Sequence, residues 1–399
     1  MTRPTEAKGS SGTGFEVDPW THWIGGLVDR WPRLFKRLGD LETRMLADAI
    51  QGVVVDRPIY VAGLARSGST ILLELLEAHP DVVTHRYRDF PLLQTPWLWN
   101  RFLDRAARKT APPAERSHRD GIVVDSDSPE AFEEMLWMAF FPGLHDPSRS
   151  AVLDGHTRHA EFEGFYRDHI RKLLVLRGGS RYVAKGNYNV TRLDYLASLF
   201  PDARFVVPIR DPVWHVASLM KQHRVFCEGQ RAHRRASSHL QRAGHFEFGV
   251  DRRPIHVGDG AAAQEVARLW RDGRDVEGWA LQWSQVYGHV ADRLATHDGL
   301  RQSTLVVRYD DLCRHPRETI GALFEHCRLA APAELLDRAA ERVRFPTYYQ
   351  VRFSDRELEL IAARTSPTAA RFGVTLSAGE CPAAEHEPQR HRAGVDLSP

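Results

Sequence analysis

The chain has few cysteines and no long apolar run. Its four cysteines, Cys227, Cys313, Cys327 and Cys381, are widely spaced and form no CxxC pair. This spacing argues against a disulfide framework or a zinc ribbon and is typical of a reducing compartment. No stretch approaches 18 uninterrupted apolar residues, so we predict no transmembrane segment. Residues 1–19 also lack the apolar core of a secretory signal, and we therefore expect a soluble, cytoplasmic protein.

An excess of charge of either sign is also missing. The chain carries 54 basic and 52 acidic residues, for a net charge of +2. We therefore expect no general nucleic-acid binding, and any basic site must be a local cluster. The 20 histidines include no HExxH motif and no carboxylate–histidine pair at a catalytic spacing, so we predict no metal site.

Composition and apolar periodicity divide the chain into an α/β domain with extensions. Residues 1–19 are polar and are predicted to be disordered, whereas 20–50 have apolar side chains every three or four positions and predict a helical extension. Residues 51–375 are predicted to form one domain, with a histidine- and arginine-rich insertion at 222–260. The polar segment 376–399 is predicted to be a disordered tail.

Short apolar strands alternate with helical patterns within that domain. Strands are predicted at 58–62, 181–184, 204–209 and 304–308, and each precedes a helical pattern. This alternation predicts an α/β fold with a mostly parallel sheet flanked by helices on both faces.

The first strand runs into a glycine-containing loop. Gly63, four further residues and then Gly68-Ser69-Thr70 have the outline of a phosphate-binding loop followed by a helix. Glycines allow backbone N–H groups to turn inward, and a helix N-terminus favours a bound anion. The lysine that ATP- and GTP-binding loops place before the final Ser/Thr is missing: Ser69 stands there, and the cation is Arg66. The loop therefore predicts an anion site of another kind.

A second anion site is predicted after the strand at 204–209. Arg210 follows the strand, Asp211-Pro212 is a helix-start signal, and Ser218 lies two turns further on. An arginine at the carboxyl end of a parallel strand is well placed to hold a phosphate. Two anion sites on one sheet edge suit a ligand that has a 5′-phosphosulfate and a separate 3′-phosphate.

These motifs together resemble a known family. Residues 59–70 with the His79-Pro80 that follows, 204–218, and Val306 to Leu312 resemble three motifs of the sulfotransferases that use 3′-phosphoadenosine 5′-phosphosulfate (PAPS). The likeness is to the branch that includes tyrosylprotein sulfotransferases and many bacterial members. It implies a P-loop-type α/β fold, PAPS as donor substrate, and no metal.

The resemblance also implies roles for individual residues. The residues expected to hold the 5′-phosphosulfate are Arg66, Ser67, Gly68, Ser69 and Thr70. Those expected to hold the 3′-phosphate are Arg210 and Ser218. Lys185 matches a lysine that faces the sulfuryl group, and with Arg66 it is expected to stabilise the leaving phosphate.

A general base is harder to predict from the sequence. The stretch Val83 to Pro91 lacks the Gly-Glu pair of the tyrosylprotein enzymes, and His85 and Asp89 are its candidates. We prefer Asp89. A helix is also predicted to start at Ser126 to Pro129. Its Glu130, Glu133 and Glu134 either lie near the acceptor or form an exposed acidic face, and we prefer the exposed face.

The acceptor and two other functions stay open. Aromatic residues favour a small-molecule or lipid acceptor, with its sulfated atom a hydroxyl oxygen or an amine nitrogen. A P-loop kinase or NTPase is the first alternative, which the missing lysine disfavours. A non-catalytic protein that binds nucleotide, or binds a partner through 222–260, is the second. A homo-oligomer also stays open.

Overall fold

Five strands form one parallel sheet in the computed structural model of the chain. The described residues are 14–106, 113–116, 118, 122–346 and 351–377. The sheet strands are β1 (Ile59–Ala62), β2 (Val82–Val83), β5 (Arg181–Gly186), β6 (Arg204–Ile209) and β7 (Thr304–Arg308), and a separate antiparallel pair consists of β3 (Ala114–Glu115) and β4 (Val123–Val124). The order β2-β5-β1-β6-β7 puts β1 at the centre.

Helices cover the sheet and form the extension before it. Those of the N-terminal part are α1 (Pro19–Arg30), α2 (Pro32–Met45), α3 (Ala47–Ile50), α4 (Ser69–Glu77), α5 (Pro96–Arg105), α6 (Glu134–Phe140), α7 (Ala160–Arg177) and α8 (Leu193–Leu199). Those that follow are α9 (Pro212–Ala232), α10 (Ala236–Arg242), α11 (Gly260–Arg271), α12 (Asp275–Thr296), α13 (Asp298–Gln302), α14 (Tyr309–Arg314), α15 (Pro316–His326), α16 (Ala333–Glu341) and α17 (Asp355–Arg371). Within the described residues, no helix is long and apolar enough to cross a membrane.

The central strand is apolar on both faces because both faces are covered. Tyr60 and Ala62 belong to one buried apolar cluster, and Ile59 and Val61 belong to another. Successive side chains of a strand point to opposite faces, so these two clusters lie on the two sides of the sheet. A parallel sheet covered in this way needs near-continuous apolar strands, as in the observed sequence Ile-Tyr-Val-Ala.

The α/β fold predicted from the sequence is confirmed. The strands predicted at 204–209 and 304–308 are present with those bounds. Asp211 caps α9 by accepting from the Val213 N–H at 2.9 Å, and Pro212 occupies the first helical position. In the helical extension, α1 ends and α2 begins on either side of Trp31.

Two local predictions were wrong. Residues 222–232 are the second half of the 21-residue α9 and do not start an insertion. The helix predicted at Ser126 to Pro129 begins only at Glu134. The reason is that 129–130 pairs with another loop: Pro129 bridges Arg86, and the Glu130 N–H donates to the His85 carbonyl at 3.0 Å.

Most of the predicted terminal disorder lies outside the described residues. At the inner end of the segment 1–19, Phe15 is buried and packs edge-on against Phe226. At the start of 376–399, the Ser377 N–H donates to Asp211 Oδ2 at 2.9 Å. These two positions are therefore held against the α/β domain.

Candidate active site at the carboxyl edge of the sheet

The loop between β1 and α4 has the backbone shape of an anion cradle. Gly68 caps α4 with φ 101°, and a Cβ there would come within 2.6 Å of the Tyr309 ring. Arg66 has φ 71°, a left-handed conformation that side chains other than glycine rarely adopt. Such a conformation persists only where the surroundings impose it, and it is common at ligand sites.

The N-terminus of α4 offers its backbone donors to the loop. Gly68 provides no side-chain cap, and the first N–H groups of a helix have no intrahelical acceptor. Ser67 makes contacts within the loop: its N–H donates to the Leu64 carbonyl at 3.2 Å, and its buried hydroxyl lies beside Gly63. Ser67 therefore shapes the loop from inside.

Two cations converge on the first turn of α4. Lys185 Nζ donates to Thr70 Oγ1 at 3.2 Å, and Arg116 Nη1 donates to the same oxygen at 3.3 Å. Both side chains are largely buried. Burial and the neighbouring Arg116 and Arg66 lower the pKa of the Lys185 ammonium from its ordinary value, and Glu130 and Glu247 oppose that shift.

The two predicted anion sites adjoin each other. Arg66 Nε donates to the buried Ser218 Oγ at 3.3 Å, which links the loop after β1 to the helix after β6. The Arg210 guanidinium lies 4.6 Å from the centre of the Tyr309 ring, and the same ring packs on Gly68. Arg66, Arg210 and Ser218, which are far apart in sequence, therefore line one continuous region.

Asp89 is engaged elsewhere. It is fully buried, and both of its oxygens accept from Arg177 Nη2, at 2.9 and 2.7 Å. Asn100 Nδ2 and the Arg86 N–H donate to it as well, each at 2.9 Å. A carboxylate with this many donors and no exposure cannot accept a proton from an acceptor molecule, so the geometry argues against the predicted role.

His85 is also buried, and both of its ring nitrogens have partners. Its Nε2 lies 2.8 Å from His169 Nε2, its Nδ1 lies 3.3 Å from the Tyr182 hydroxyl, and its ring is 1% exposed. Burial lowers the pKa of His85 to about 4, although the Asp89 charge opposes the shift. The geometry therefore argues against His85 as the general base.

A different carboxylate faces the cations. Glu130 Oε1 lies 3.9 Å from Lys185 Nζ and accepts from the Ala131 N–H at 2.6 Å. Burial raises the pKa of this carboxyl, but Lys185, the two hydrogen bonds from Ala131 and Tyr87, and Arg116 together bring it below its ordinary value. Glu130 is therefore ionised at neutral pH, as a general base must be.

The predicted exposed acidic face does not exist, because all three glutamates are turned inward. Glu133 accepts from the buried Tyr166 and Tyr182 hydroxyls. Glu134 pairs with Arg192 and His145. Only Glu130 lies beside Lys185, so the three have separate roles.

A second acidic group, Glu247, also acts on the charge of Lys185. Glu247 is buried and accepts from Asn187 Nδ2 at 2.6 Å, and its Oε2 lies 3.6 Å from His245 Nδ1. Burial lowers the pKa of His245, but Glu247 and Glu130 more than compensate and raise it above its ordinary value. A raised pKa favours the protonated ring, which makes His245 a poorer base than Glu130.

A cavity of about 310 Å³ opens at this cluster. Thr70, Tyr87, Arg116 and Pro129 contribute to its walls. It therefore borders one of the two cations, the threonine to which both donate, and the residue that precedes Glu130. A larger, open cleft of about 890 Å³ lies between the start of α1 and 233–238, and none of the predicted site residues lines it. The nearby cations and carboxylate favour the smaller cavity as the candidate active site.

Sequence reasoning missed Arg116 and preferred an exposed position for Glu130. Arg116 directly follows β3 and lies 46 positions from Thr70 in sequence, and no motif marks it. No motif marks Glu130 either, because Pro129 restricts the backbone of the residue before it and not that of Glu130. Among the described residues, no group of three or more His, Cys, Asp or Glu side chains is arranged to hold a metal ion.

Several solved structures share distant similarity with this chain. A sulfotransferase of Mycobacterium tuberculosis is 17% identical, with 91% of this chain and 88% of that one covered and a TM-score of 0.47. One of Mycobacterium avium is 17% identical, with 84% and 82% covered and a TM-score of 0.47. One of Alicyclobacillus acidocaldarius is 13% identical, with 80% and 94% covered and a TM-score of 0.39.

Sequence comparison gives a more direct result. No curated protein matches the chain. The family model described as the sulfotransferase family matches residues 58–252. That segment contains the loop after β1, Lys185, Arg210 and Ser218, and also Arg116 and Glu130. Residues 58–252 therefore match the sulfotransferase family, the family that the motifs were found to resemble.

Proposed function

We propose that this chain transfers a sulfuryl group from PAPS to a hydroxyl or amine of a small-molecule or lipid acceptor. The observation that carries the proposal is the contact of Arg66 with Ser218, 3.3 Å from Nε to Oγ. It joins an anion cradle at the N-terminus of α4 to a second basic site at Arg210. A nucleotide with a 5′-phosphosulfate and a 3′-phosphate has two anionic groups for these two sites.

The residues present fit such a donor. The N-terminus of α4 has no side-chain cap, and its first N–H groups have no intrahelical acceptor. The Arg210 guanidinium lies 4.6 Å from the centre of the Tyr309 ring, which packs on Gly68, and a planar guanidinium suits a phosphate. PAPS would supply the sulfuryl group, with its bond to the 5′-phosphate as the bond that breaks.

The cations at Thr70 would stabilise the negative charge that develops on the leaving oxygen. Lys185 and Arg116 both donate to Thr70 Oγ1, so they are aimed at one point beside the first turn of α4. Transfer of a sulfuryl group, like that of a phosphoryl group, builds negative charge on the leaving oxygen. Preorganised cations in a site of low exposure stabilise that charge strongly.

Glu130 is the base in this proposal. As the acceptor oxygen or nitrogen forms its bond to sulfur, its proton passes to the Glu130 carboxylate, and the sulfur–oxygen bond to the 5′-phosphate breaks. Lys185, 3.9 Å from Glu130, holds that carboxylate ionised until the proton arrives. General-base catalysis of this kind contributes about 10²–10⁴-fold in rate.

The test begins with a thermal-shift titration of the full chain with 3′-phosphoadenosine 5′-phosphate, ADP, and ATP with Mg²⁺. A ligand that binds only the folded state raises Tm. We expect the 3′-phosphorylated nucleotide to raise Tm most, and release of that nucleotide from PAPS to follow when an acceptor is added. A larger shift with ATP and Mg²⁺ would point to a kinase or NTPase and overturn the proposal. Binding of the nucleotide without turnover of PAPS across acceptors would favour a non-catalytic protein.

A further inference from the structure

The exposed apolar side chains of this protein are concentrated in one region. Twelve large apolar side chains are exposed among the described residues, and seven of them belong to the helical extension: Trp20, Trp23, Trp31, Leu34, Leu38, Leu41 and Met45. Single exposed apolar side chains are ordinary, but a contiguous group marks a binding surface. We call the outer surface formed by these seven side chains the α1–α2 face.

Helix α2 has two apolar faces, and only one is packed. Phe35 and Gly39 point to the protein and are buried. Leu34, Leu38, Leu41 and Met45 are spaced by four, three and four positions, so they form a second stripe along the helix, and all four are exposed. A helix that only completed the core would need only the buried face that contains Phe35 and Gly39.

The second stripe cannot turn inward, because α2 is anchored. Buried Glu42 Oε2 lies 3.0 Å from Lys172 Nζ, and its Oε1 accepts from the Leu98 N–H at 2.7 Å. Lys172 Nζ also donates to the Gly39 carbonyl at 3.2 Å. The Phe165 ring packs so closely on Gly39 that a Cβ would come within 2.6 Å of it. The helix is therefore locked in a rotation that presents its leucines to the outside.

A row of arginines follows the edge of the open stripe. Arg33, Arg37 and Arg44 are spaced by four and seven positions, all are exposed, and none makes an ion pair with a described residue. Asp40 is the acidic residue on that edge. Three cations against one anion give this edge a net positive charge, in a protein whose overall charge is close to balanced.

Tryptophans occupy the end of the same face. Trp23 is 55% exposed and stacks on Trp20 with ring centres 5.3 Å apart, and Trp31 is 49% exposed between the two helices. Exposed tryptophans are costly in water and are favoured at the boundary between lipid headgroups and acyl chains.

We propose that the α1–α2 face binds an anionic lipid surface, with α2 lying in the plane of the interface. Leucines and tryptophans on one face with arginines beside them form the pattern of an interfacial helix, which gains from both apolar burial and anionic headgroups. The long arginine side chains can reach the headgroups while their stems lie on the apolar stripe. A purely apolar partner would leave the arginines without counter-charges, and the arginine row therefore favours lipid over a second copy of this chain. The proposal does not depend on the donor or the reaction proposed above.

The test is co-sedimentation of the full chain with phosphatidylcholine vesicles, with or without roughly 30% phosphatidylserine. We expect binding to the anionic vesicles, weaker binding at high salt, and little binding to phosphatidylcholine alone. Arg33→Gln with Arg37→Gln should weaken binding by about 25-fold, which is roughly fivefold per arginine. Leu38→Gln with Leu41→Gln should weaken it at least about tenfold through lost apolar burial.

Two matched controls separate the α1–α2 face from the rest of the surface. Arg271→Gln changes an exposed arginine on α11, and Val250→Gln changes an exposed apolar side chain, and neither should alter vesicle binding. All four variants change exposed side chains, and their Tm should match that of the parent protein.

Three results would overturn the proposal. The first is absence of binding to the anionic vesicles. The second is a loss of vesicle binding in Arg271→Gln as large, per arginine removed, as the loss in Arg33→Gln with Arg37→Gln. Equal losses would indicate a diffuse charge effect. The third is a dimer in analytical ultracentrifugation that Leu38→Gln with Leu41→Gln converts to monomer, since a second copy would then cover this face.

Discussion

The donor side and the acceptor side of the candidate site are built in different ways. The proposed donor side consists of the loop after β1 and the start of α9, where Arg66 and Arg210 lie in the segments after two strands and Ser218 lies two turns into the helix. On the proposed acceptor side, the base Glu130 lies beside Lys185, and Arg116 and Lys185 meet at Thr70; these residues come from separate segments. Binding by backbone shape is encoded locally, whereas a base and its cations depend on which distant segments meet.

Asp89 and Glu130 illustrate the difference on the acceptor side. Each is a buried or nearly buried carboxylate beside a cation. Asp89 is closed in by Arg177, Asn100 and a backbone N–H, and it is fully buried. Glu130 has a longer, 3.9 Å approach to Lys185, and the residue before it lines a cavity. The same pairing of charges therefore stabilises the fold in one place and, in our proposal, serves catalysis in the other.

The largest expected effect concerns Glu130. Glu130→Gln removes the proposed base but keeps the size of the side chain, so kcat for PAPS-dependent transfer should fall by about 10²–10⁴-fold. Steady-state kinetics measure this, and nucleotide-induced shifts in Tm should be retained because the donor side is unchanged. If Glu130→Gln keeps the parental kcat, Glu130 is not the general base, and His245 becomes the next candidate.

The matching change on the structural carboxylate should affect stability instead. Asp89→Asn leaves Arg177 buried without its counter-charge, which should lower the free energy of unfolding by about 3–5 kcal/mol. Denaturant unfolding measures the loss. The folded fraction should keep the parental kcat, and a kcat loss as large as that of Glu130→Gln would break the comparison.

A change on the donor side should act on nucleotide affinity. Arg210→Ala should weaken binding of 3′-phosphoadenosine 5′-phosphate by about 30-fold, since a charged hydrogen bond to phosphate contributes roughly 2 kcal/mol. Binding of ADP, which has no 3′-phosphate, should be unchanged. Calorimetry of both nucleotides tests this, with Arg317→Ala on the exposed face of α15 as control. Equal losses for both nucleotides would contradict the assignment of Arg210 to the 3′-phosphate.

The smallest expected effect is on the pH dependence of stability. Burial lowers the pKa of His85 to about 4, so between pH 6.5 and 4 the unfolded chain binds a proton there that the folded chain does not. Stability should therefore fall as pH falls through this window, by up to about 1.4 kcal/mol per pH unit from this residue. His85→Asn should make the measured slope shallower by that amount, at an unchanged PAPS turnover per folded molecule. An unchanged slope would mean that His85 is charged in the folded protein.

Local patterns predicted the fold well because they report local physics. Strand β6 and the Asp211 cap of α9 were predicted at their observed positions, since an apolar run and a capping residue act within a few residues. The helix at 134–140 was predicted too early because Pro129 and Glu130 pair with the loop at 85–86, a contact that no local pattern contains.

By itself the sequence determined the parallel α/β fold, the anion loop at Gly63–Gly68 and the arginine that follows β6. These depend on apolar periodicity, on glycine, and on the order of strands and helices. Only the tertiary structure decided which acid faces Lys185, that Arg116 joins it, and that the leucine stripe of α2 stays outside. Each of those outcomes depends on the burial of one group by residues far along the chain, and burial is a property of the assembled fold.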